Sequence, residues 1–244
     1  MALKRPSRPD RCLMVFVRHP EPGRVKTRLA RAHGDSFAAE LYGYFVDDLL
    51  RELGRGSHRL EVLFTPSGKG REVRQRFGGR FVYTPQEGKG LGERMGNAFR
   101  RCFLKGFGTA ILVGSDVPDL TAEVVGEAFR AIENDCDAVL GPACDGGYYL
   151  IGFRAAAFDA AVFREMPWGE DTVYEKTLDR LRAREYRIHL APAWRDIDTE
   201  EDLAALRARH AHGAFSGSHT MAFLQRSSGG LLHHVSKLPT QKRQ

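Results

Sequence analysis

The stretch TAILVGSDVPDLTAEVVGEAF, residues 109–129, passes from one kind of structure to another within a few positions. Ala110–Val113 form an uninterrupted apolar run, which suits a strand covered on both faces. Gly114, Ser115 and Asp116 end it, and Pro118 cannot continue a ladder because it lacks an N–H. Thr121 is then placed to cap an amphipathic helix over 122–133. A strand that empties through a polar turn into a helix is the repeating unit of a parallel α/β sheet.

The same alternation extends in both directions. Strands are expected at 12–17, 60–65, 80–84, 109–114, 137–141, 148–153 and 186–191. Phe37, Leu41, Phe45 and Leu49 recur at helical spacing in 36–53, with Ser36 as an expected N-cap. Leu91, Met95, Phe99 and Phe103 do the same in 91–105. Thr199 can cap 200–209, with Asp202 in its first turn. The expected fold is therefore α/β: a three-layer α/β/α arrangement with a mostly parallel central sheet, in one domain over 12–209. Residues 1–11 read as a basic N-terminal tail. Residues 210–244, rich in Ser, Gly and His, read as a poorly ordered extension, although its short apolar pieces, MAFL and GLLHHV, could dock on a partner or on the body.

Composition narrows the function classes. The chain has 244 residues, 42% hydrophobic and 28% charged, with a formal net charge of +6. The segment 1–11 carries +3 and 210–244 carries +4, leaving about −1 over 12–209. The basicity belongs to the ends, which argues against nucleic acid as the partner. No run approaches the roughly eighteen apolar residues of a membrane span, and the N-terminus lacks the apolar core of a secretory signal. A cytoplasmic location is expected. Cys12, Cys102, Cys136 and Cys144 have no zinc-type spacing and read as buried, reduced thiols.

In open α/β sheets the ligand lies beyond the carboxyl ends of the strands, so the residues after each strand carry the functional question. After the first strand, HPEPG (19–23) turns the chain and Arg24, Lys26 and Arg28 come next. With Arg18, they are candidates to neutralise nucleotide phosphates. Two familiar phosphate loops are excluded. TPSGKGREV lacks the Ser or Thr after Lys69 and the glycine five residues before it. The glycines of EGKGLGERMG do not satisfy GxGxxG. After the fourth strand, Ser115 and Asp116 reach the crevice edge. A carboxylate there can hold Mg²⁺ or Mn²⁺ against phosphate oxygens. Asp119 reads as a turn or cap residue, which leaves Asp116 free for that role.

Asp196 and Asp198 alternate around Ile197, so only one of them can face the crevice with Asp116. CDGGYYLIGF (144–153) reads as a hairpin whose glycines also permit close approach of a ligand. Trp168 stands just before an expected helix whose first turn carries Glu170 and Asp171. It is either a core plug or a platform for an acceptor.

Together, KTRL (26–29), QEGKGLGERM (86–95), GSDVPDL (114–120), DGGYYLIG (145–152), PWGEDTV (167–173) and DIDTEEDL (196–203) resemble a bacterial group. It is the uncharacterised glycosyltransferase-like family of the GT-A (nucleotide-diphospho-sugar transferase) superfamily. The resemblance covers 12–209. It implies a GT-A-like domain, a nucleotide or nucleotide-sugar ligand and a divalent metal, Mg²⁺ or Mn²⁺. By the same resemblance, Asp116 and Asp198 correspond to metal-binding acids. Gln86, Gly88 and Leu91 lie where base and ribose contacts fall. Two departures stand out. The DxD of many glycosyltransferases is absent. The GxGxR start of sugar nucleotidyltransferases is replaced by RHPEPGRVKTRL, which is closer to the phospholactate guanylyltransferase type.

The expectation is metal-dependent glycosyl transfer from a nucleotide-sugar to a small-molecule acceptor. Arg18, Arg24, Lys26, Arg28 and Ser115 would lie on the nucleotide side. Gly146, Gly147, Tyr148 and Trp168 would line the acceptor side, with Asp145 or Asp171 as base. Nucleotidylyl transfer from an NTP to a phosphorylated small molecule is the first alternative. Nucleotide binding without catalysis is the second.

Overall fold

The computed structural model describes residues 10–235. Residues 1–9, which make up most of the expected basic tail, and 236–244 lie outside the described residues. The strands are β1 (Arg11–Arg18), β2 (Arg59–Thr65), β3 (Val82–Pro85), β4 (Thr109–Val113), β5 (Ala138–Pro142), β6 (Tyr148–Arg154) and β7 (Ile188–Leu190). They form one sheet in the order β3-β2-β1-β4-β6-β5-β7. Neighbours pair in parallel except at β6, which runs against both β4 and β5. The β5–β6 pair is the hairpin that Asp-Gly-Gly foreshadows. The α/β class and the mostly parallel sheet are as expected.

Strand β1 shows why the sheet is central. Leu13, Val15 and Val17 point to one face and Cys12, Met14 and Phe16 to the other, and all six are buried. A strand apolar on both sides needs a layer on each side. The first layer holds α1 (Thr27–His33), α2 (Asp35–Leu53), α3 (Gly70–Phe77), α5 (Ala122–Asn134), α7 (Glu200–Arg209) and α8 (His219–Val235). The second holds α4 (Leu91–Leu104) and α6 (Val173–Arg182). Phe99 of α4 anchors the second layer, its ring 5.1 Å from that of Phe153 and 6.0 Å from that of Phe163.

Local rules place the helix starts. Thr121 accepts from the Val124 amide, and Thr199 forms a reciprocal box with Asp202. Ser36, however, is not the cap of α2, which begins at Asp35 directly after Gly34 (φ 87°). The helix expected at 170 begins only at Val173, because Pro167–Glu170 close a turn first.

The expected poorly ordered extension is corrected where it is described. From His219 the chain is helical, and Met221, Phe223 and Leu224 are buried on the α1/α2 side of the sheet. The physical reason is Asp48 of α2, whose buried carboxylate accepts from the His219 and Thr220 amides at 3.0 and 2.7 Å. It caps α8 from another helix. The thiol expectation is corrected at two positions. Cys12 and Cys102 are buried, but Cys136 is half-buried and Cys144, in the hairpin turn, is exposed; all four are free. Among the described residues no helix is long and apolar enough to cross a membrane.

Candidate functional site

A cavity of about 560 Å³ opens at the carboxyl ends of β1 and β4. That volume lies within the usual range for small-ligand sites. Arg18 and Lys26 line it beyond β1, and Gly114, Ser115 and Asp116 beyond β4. Gln86, Leu91, Arg94 and Met95 close one side. Asp145, Gly147, Tyr148, Tyr149, Trp168, Glu170 and Asp198 close the rest.

The floor is an ion triad. Lys26 sits at the N-terminus of α1 in a left-handed backbone conformation (φ 46°). Its ammonium bonds Asp198 at 2.7 Å and pairs with Asp116 as well. The Lys26 side chain is 3% exposed, whereas those of Asp116 and Asp198 are 48% and 37% exposed. The carboxylates therefore face the cavity and the ammonium lies beneath them. Burial works against the Lys26 charge, but the two carboxylates more than offset it and hold its pKa up at about 12. Beside it, Tyr42 and Ser115 share a 2.7 Å hydrogen bond, and the Arg18 amide donates to the same phenol at 3.0 Å. Burial first, and then Asp116, push Tyr42 up to about 12, so its hydroxyl stays protonated.

Two distant segments are tied together here. The Ile197 amide donates to the Asp116 carbonyl at 2.9 Å, which lays the 196–198 segment against the end of β4. Asp198 then turns to Lys26. Asp196 does not line the cavity, in keeping with the alternation around Ile197. Burial, Asp145 and Asp198 raise its pKa to about 6.

The opposite wall is aromatic. Tyr148 and Trp168 meet edge to face at 6.4 Å, and Trp168 also packs against α4 at Gly92, where a Cβ would stand 3.0 Å from the indole. Trp168 is thus both plug and wall. Asp145 takes the Gly147 amide in a tight turn at 2.9 Å and remains exposed at the rim.

Several expected residues lie elsewhere. Arg24 and Arg28 are exposed and outside the lining; Arg28 is on α1, where the inward position is Leu29. Gly88 is also outside; its carbonyl accepts from the Arg94 guanidinium at 3.1 Å. Gly146 (φ 88°) is packed under the Asp171 carbonyl and supports that segment rather than touching the cavity. The Asp171 side chain is exposed and away from the lining, so its expected role as a base is set aside. Gln86 lines the cavity but spends its amide group on the Leu63 carbonyl at 2.8 Å.

Arg94 and Tyr42 are cavity residues that reading the sequence did not single out. Arg94 was legible, since it stands one helical turn from Leu91 and shares its face. Tyr42 was not, because it reads as one more apolar position of α2.

The donor set fits a hard divalent cation of the kind that completes its shell on a substrate. Asp116 and Asp198 offer two carboxylates to the cavity, and Mg²⁺ is commonly held by one or two carboxylates plus substrate phosphates. Among the described residues no group of three or more His, Cys, Asp or Glu forms a protein-only cage.

Residues 49–170 match a family described as "uncharacterized protein conserved in bacteria (DUF2064)". A solved structure of a candidate nucleotide-diphospho-sugar transferase from Desulfovibrio desulfuricans G20 is 36% identical. The match covers 92% of this chain and 98% of that one, with a TM-score of 0.88. CMP:2-keto-3-deoxy-manno-octonic acid synthetase, solved with CTP, is 11% identical over 82% of this chain and 98% of its own, with a TM-score of 0.53. 4-diphosphocytidyl-2C-methyl-D-erythritol synthase from Anaerococcus prevotii DSM 20548 is 10% identical over 83% and 98%, also at 0.53. At such identities the last two speak for the fold alone. No curated protein matches the chain.

Proposed function

The chain belongs to the DUF2064 family of bacterial proteins, a nucleotide-diphospho-sugar transferase-like family, and from that premise we propose that it moves a sugar from a nucleotide-diphospho-sugar to a small hydroxyl-bearing acceptor. The observation that carries this reading is one cavity with two unlike ends. Lys26, Asp116 and Asp198 lie at one end and the Tyr148–Trp168 pair at the other.

In this reading the diphosphate sits over the triad. Asp116 and Asp198 would hold Mg²⁺ or Mn²⁺, which supplies charge neutralisation for the departing diphosphate. Arg18 and Lys26 add positive charge at the same end. Tyr42 and Ser115 fix the β4 turn, so that Asp116 meets the ligand without reorganising. The sugar extends toward Tyr148 and Trp168, whose ring faces and edges suit a hydroxylated ring more than a second phosphate. Asp145 and Glu170 stand on that side and disfavour an anionic acceptor by repulsion. Of the candidate bases, Asp145 lines the cavity and is the one retained.

Arg94 favours a second reading. It is a further cation on the cavity wall besides Arg18 and Lys26, and a phosphorylated co-substrate needs one, as in nucleotidylyl transfer from an NTP. A panel of nucleotide-sugars and NTPs with Mg²⁺ or Mn²⁺, read for both nucleoside diphosphate and pyrophosphate, tests the proposal. Slow release of free sugar and nucleoside diphosphate is the expected result. Pyrophosphate from an NTP plus a sugar phosphate would replace it with the second reading, and silence across the panel would favour binding without catalysis.

A further inference from the structure

Lys26 is an odd phosphate ligand as it stands. Its side chain is 3% exposed and its ammonium is engaged by Asp116 and Asp198 together. The rings of Tyr42 and Phe45 lie 5.9 and 5.7 Å from the same nitrogen. The backbone is shaped for this posture, with φ 46° at Lys26 and buried Val25 and Leu29 on either side. A non-glycine residue in that region is uncommon and is held there by its surroundings.

From this arrangement we infer that Lys26 is a built-in counter-ion, holding the place of the divalent cation between Asp116 and Asp198 until a nucleotide-borne cation displaces it. The inference rests on the reading of those two aspartates as metal acids. Its physical basis is charge pairing. Two carboxylates gathered at one point repel each other unless a cation lies between them, and the chain supplies its own. A bare divalent ion approaching the pair meets the ammonium as a like charge. An ion that arrives on a diphosphate brings anionic oxygens with it. Lys26 can then turn from the carboxylates to the phosphates, and no buried charge is left unpaired. The site would therefore take metal and nucleotide together and discriminate against metal alone. Lys26 is a positioning residue for the acids in the free protein and a phosphate contact only in the loaded one.

The test is a titration of the full-length protein with Mn²⁺ alone, free Mn²⁺ being read by electron paramagnetic resonance. Wild type and Lys26→Arg should bind Mn²⁺ weakly. Lys26→Met, which keeps the length and removes the charge, should bind it about tenfold more tightly or better, on the scale of a typical site–site coupling. The gain should vanish in the Lys26→Met/Asp116→Asn double variant. Equal affinity of wild type and Lys26→Met overturns the inference, as does a gain that survives the double substitution. If Lys26→Met unfolds without metal, recovery of its circular dichroism on adding Mn²⁺ supports the inference, and a chain unfolded with and without Mn²⁺ overturns it. The outcome is separable from the proposed function. A Lys26→Met gain with no turnover of any nucleotide-sugar sinks the transferase reading alone, and turnover without the gain sinks this inference alone.

Discussion

The indole of Trp194 donates to Asp119 at 2.9 Å, and this bond pins the loop carrying Asp198 to the turn carrying Asp116. Arg209 and His210 reach the same carboxylate, at 2.7 Å each, from the end of α7. The Asp119 side chain is only 2% exposed. Removing it leaves an indole N–H and a guanidinium without their acceptor, so Asp119→Ala is expected to lose about 3–5 kcal/mol. Urea denaturation near neutral pH measures this. Burial opposes the Asp119 charge, but the donors from Trp194, His210 and Arg209 outweigh it and hold its pKa below the ordinary carboxylate value. Proton uptake therefore favours the unfolded chain. The contribution is full above the unfolded pKa of about 4 and is lost as pH falls through the lower folded value. The wild type should lose stability more steeply in that acidic window than Asp119→Ala does.

Much of this frame is legible in the sequence because it is locally dictated. Strand β4 is a pure apolar run, Pro118 stops it, and Thr121 caps α5 directly after the turn. Helix α1 is hidden because its N-cap is Lys26, a residue with no capping side chain, held by partners elsewhere. Helix α8 has a local cap in Ser218, whose hydroxyl accepts from the Met221 amide at 3.1 Å, but its second anchor is hidden, because Asp48 lies 171 residues away from the His219 amide it accepts. The site divides in the same way. Asp116 and Asp198 are visible as acids after strands, and Lys26 as a base after one. That Lys26 would pair with Asp198 rather than stand free for a phosphate depends on a contact across 172 residues, which no window of sequence displays.

Gly146 holds the hairpin turn at φ 88°, and an added Cβ would run into the Asp171 carbonyl. The Gly146 carbonyl in turn accepts from the Tyr174 amide at 2.9 Å, so the turn and the start of α6 form one unit. Gly146→Ala is expected to lose about 1–3 kcal/mol through backbone strain and displacement of 171–174. Thermal unfolding reads the loss. A neutral substitution would show that the segment shifts freely and that Gly146 is not its support.

A chain ending at residue 210 should keep the cavity and lose stability. None of the cavity-lining residues lies beyond 198. The same truncation uncovers Phe37 and Tyr44, whose rings lie 5.1 and 5.2 Å from that of Phe223. It also leaves Asp48 with only Arg51 among its present side-chain and amide donors. The expected result is a markedly lower melting temperature with unchanged nucleotide affinity below the melt. Weaker affinity in the folded truncated chain would mean that α8 acts on the site through α2.

Trp168 separates donor from acceptor function. It lines the cavity beside Tyr148 while its far edge packs against Gly92 of α4. A purely structural tryptophan, once truncated, would lower stability and every activity together. If it forms the acceptor wall, the two half-reactions come apart, because the diphosphate end is built from other residues, Arg18, Lys26, Asp116 and Asp198. Trp168→Phe fills most of the volume and should retain both. Trp168→Ala should leave slow hydrolysis of the nucleotide-sugar within about threefold of wild type. It should raise the acceptor concentration for half-maximal transfer by about ten- to a hundredfold, the cost of losing one aromatic contact. Initial rates with donor alone, and then with an acceptor series at saturating donor, give the two numbers. Equal losses in both would return Trp168 to the core and move the acceptor site away from Tyr148.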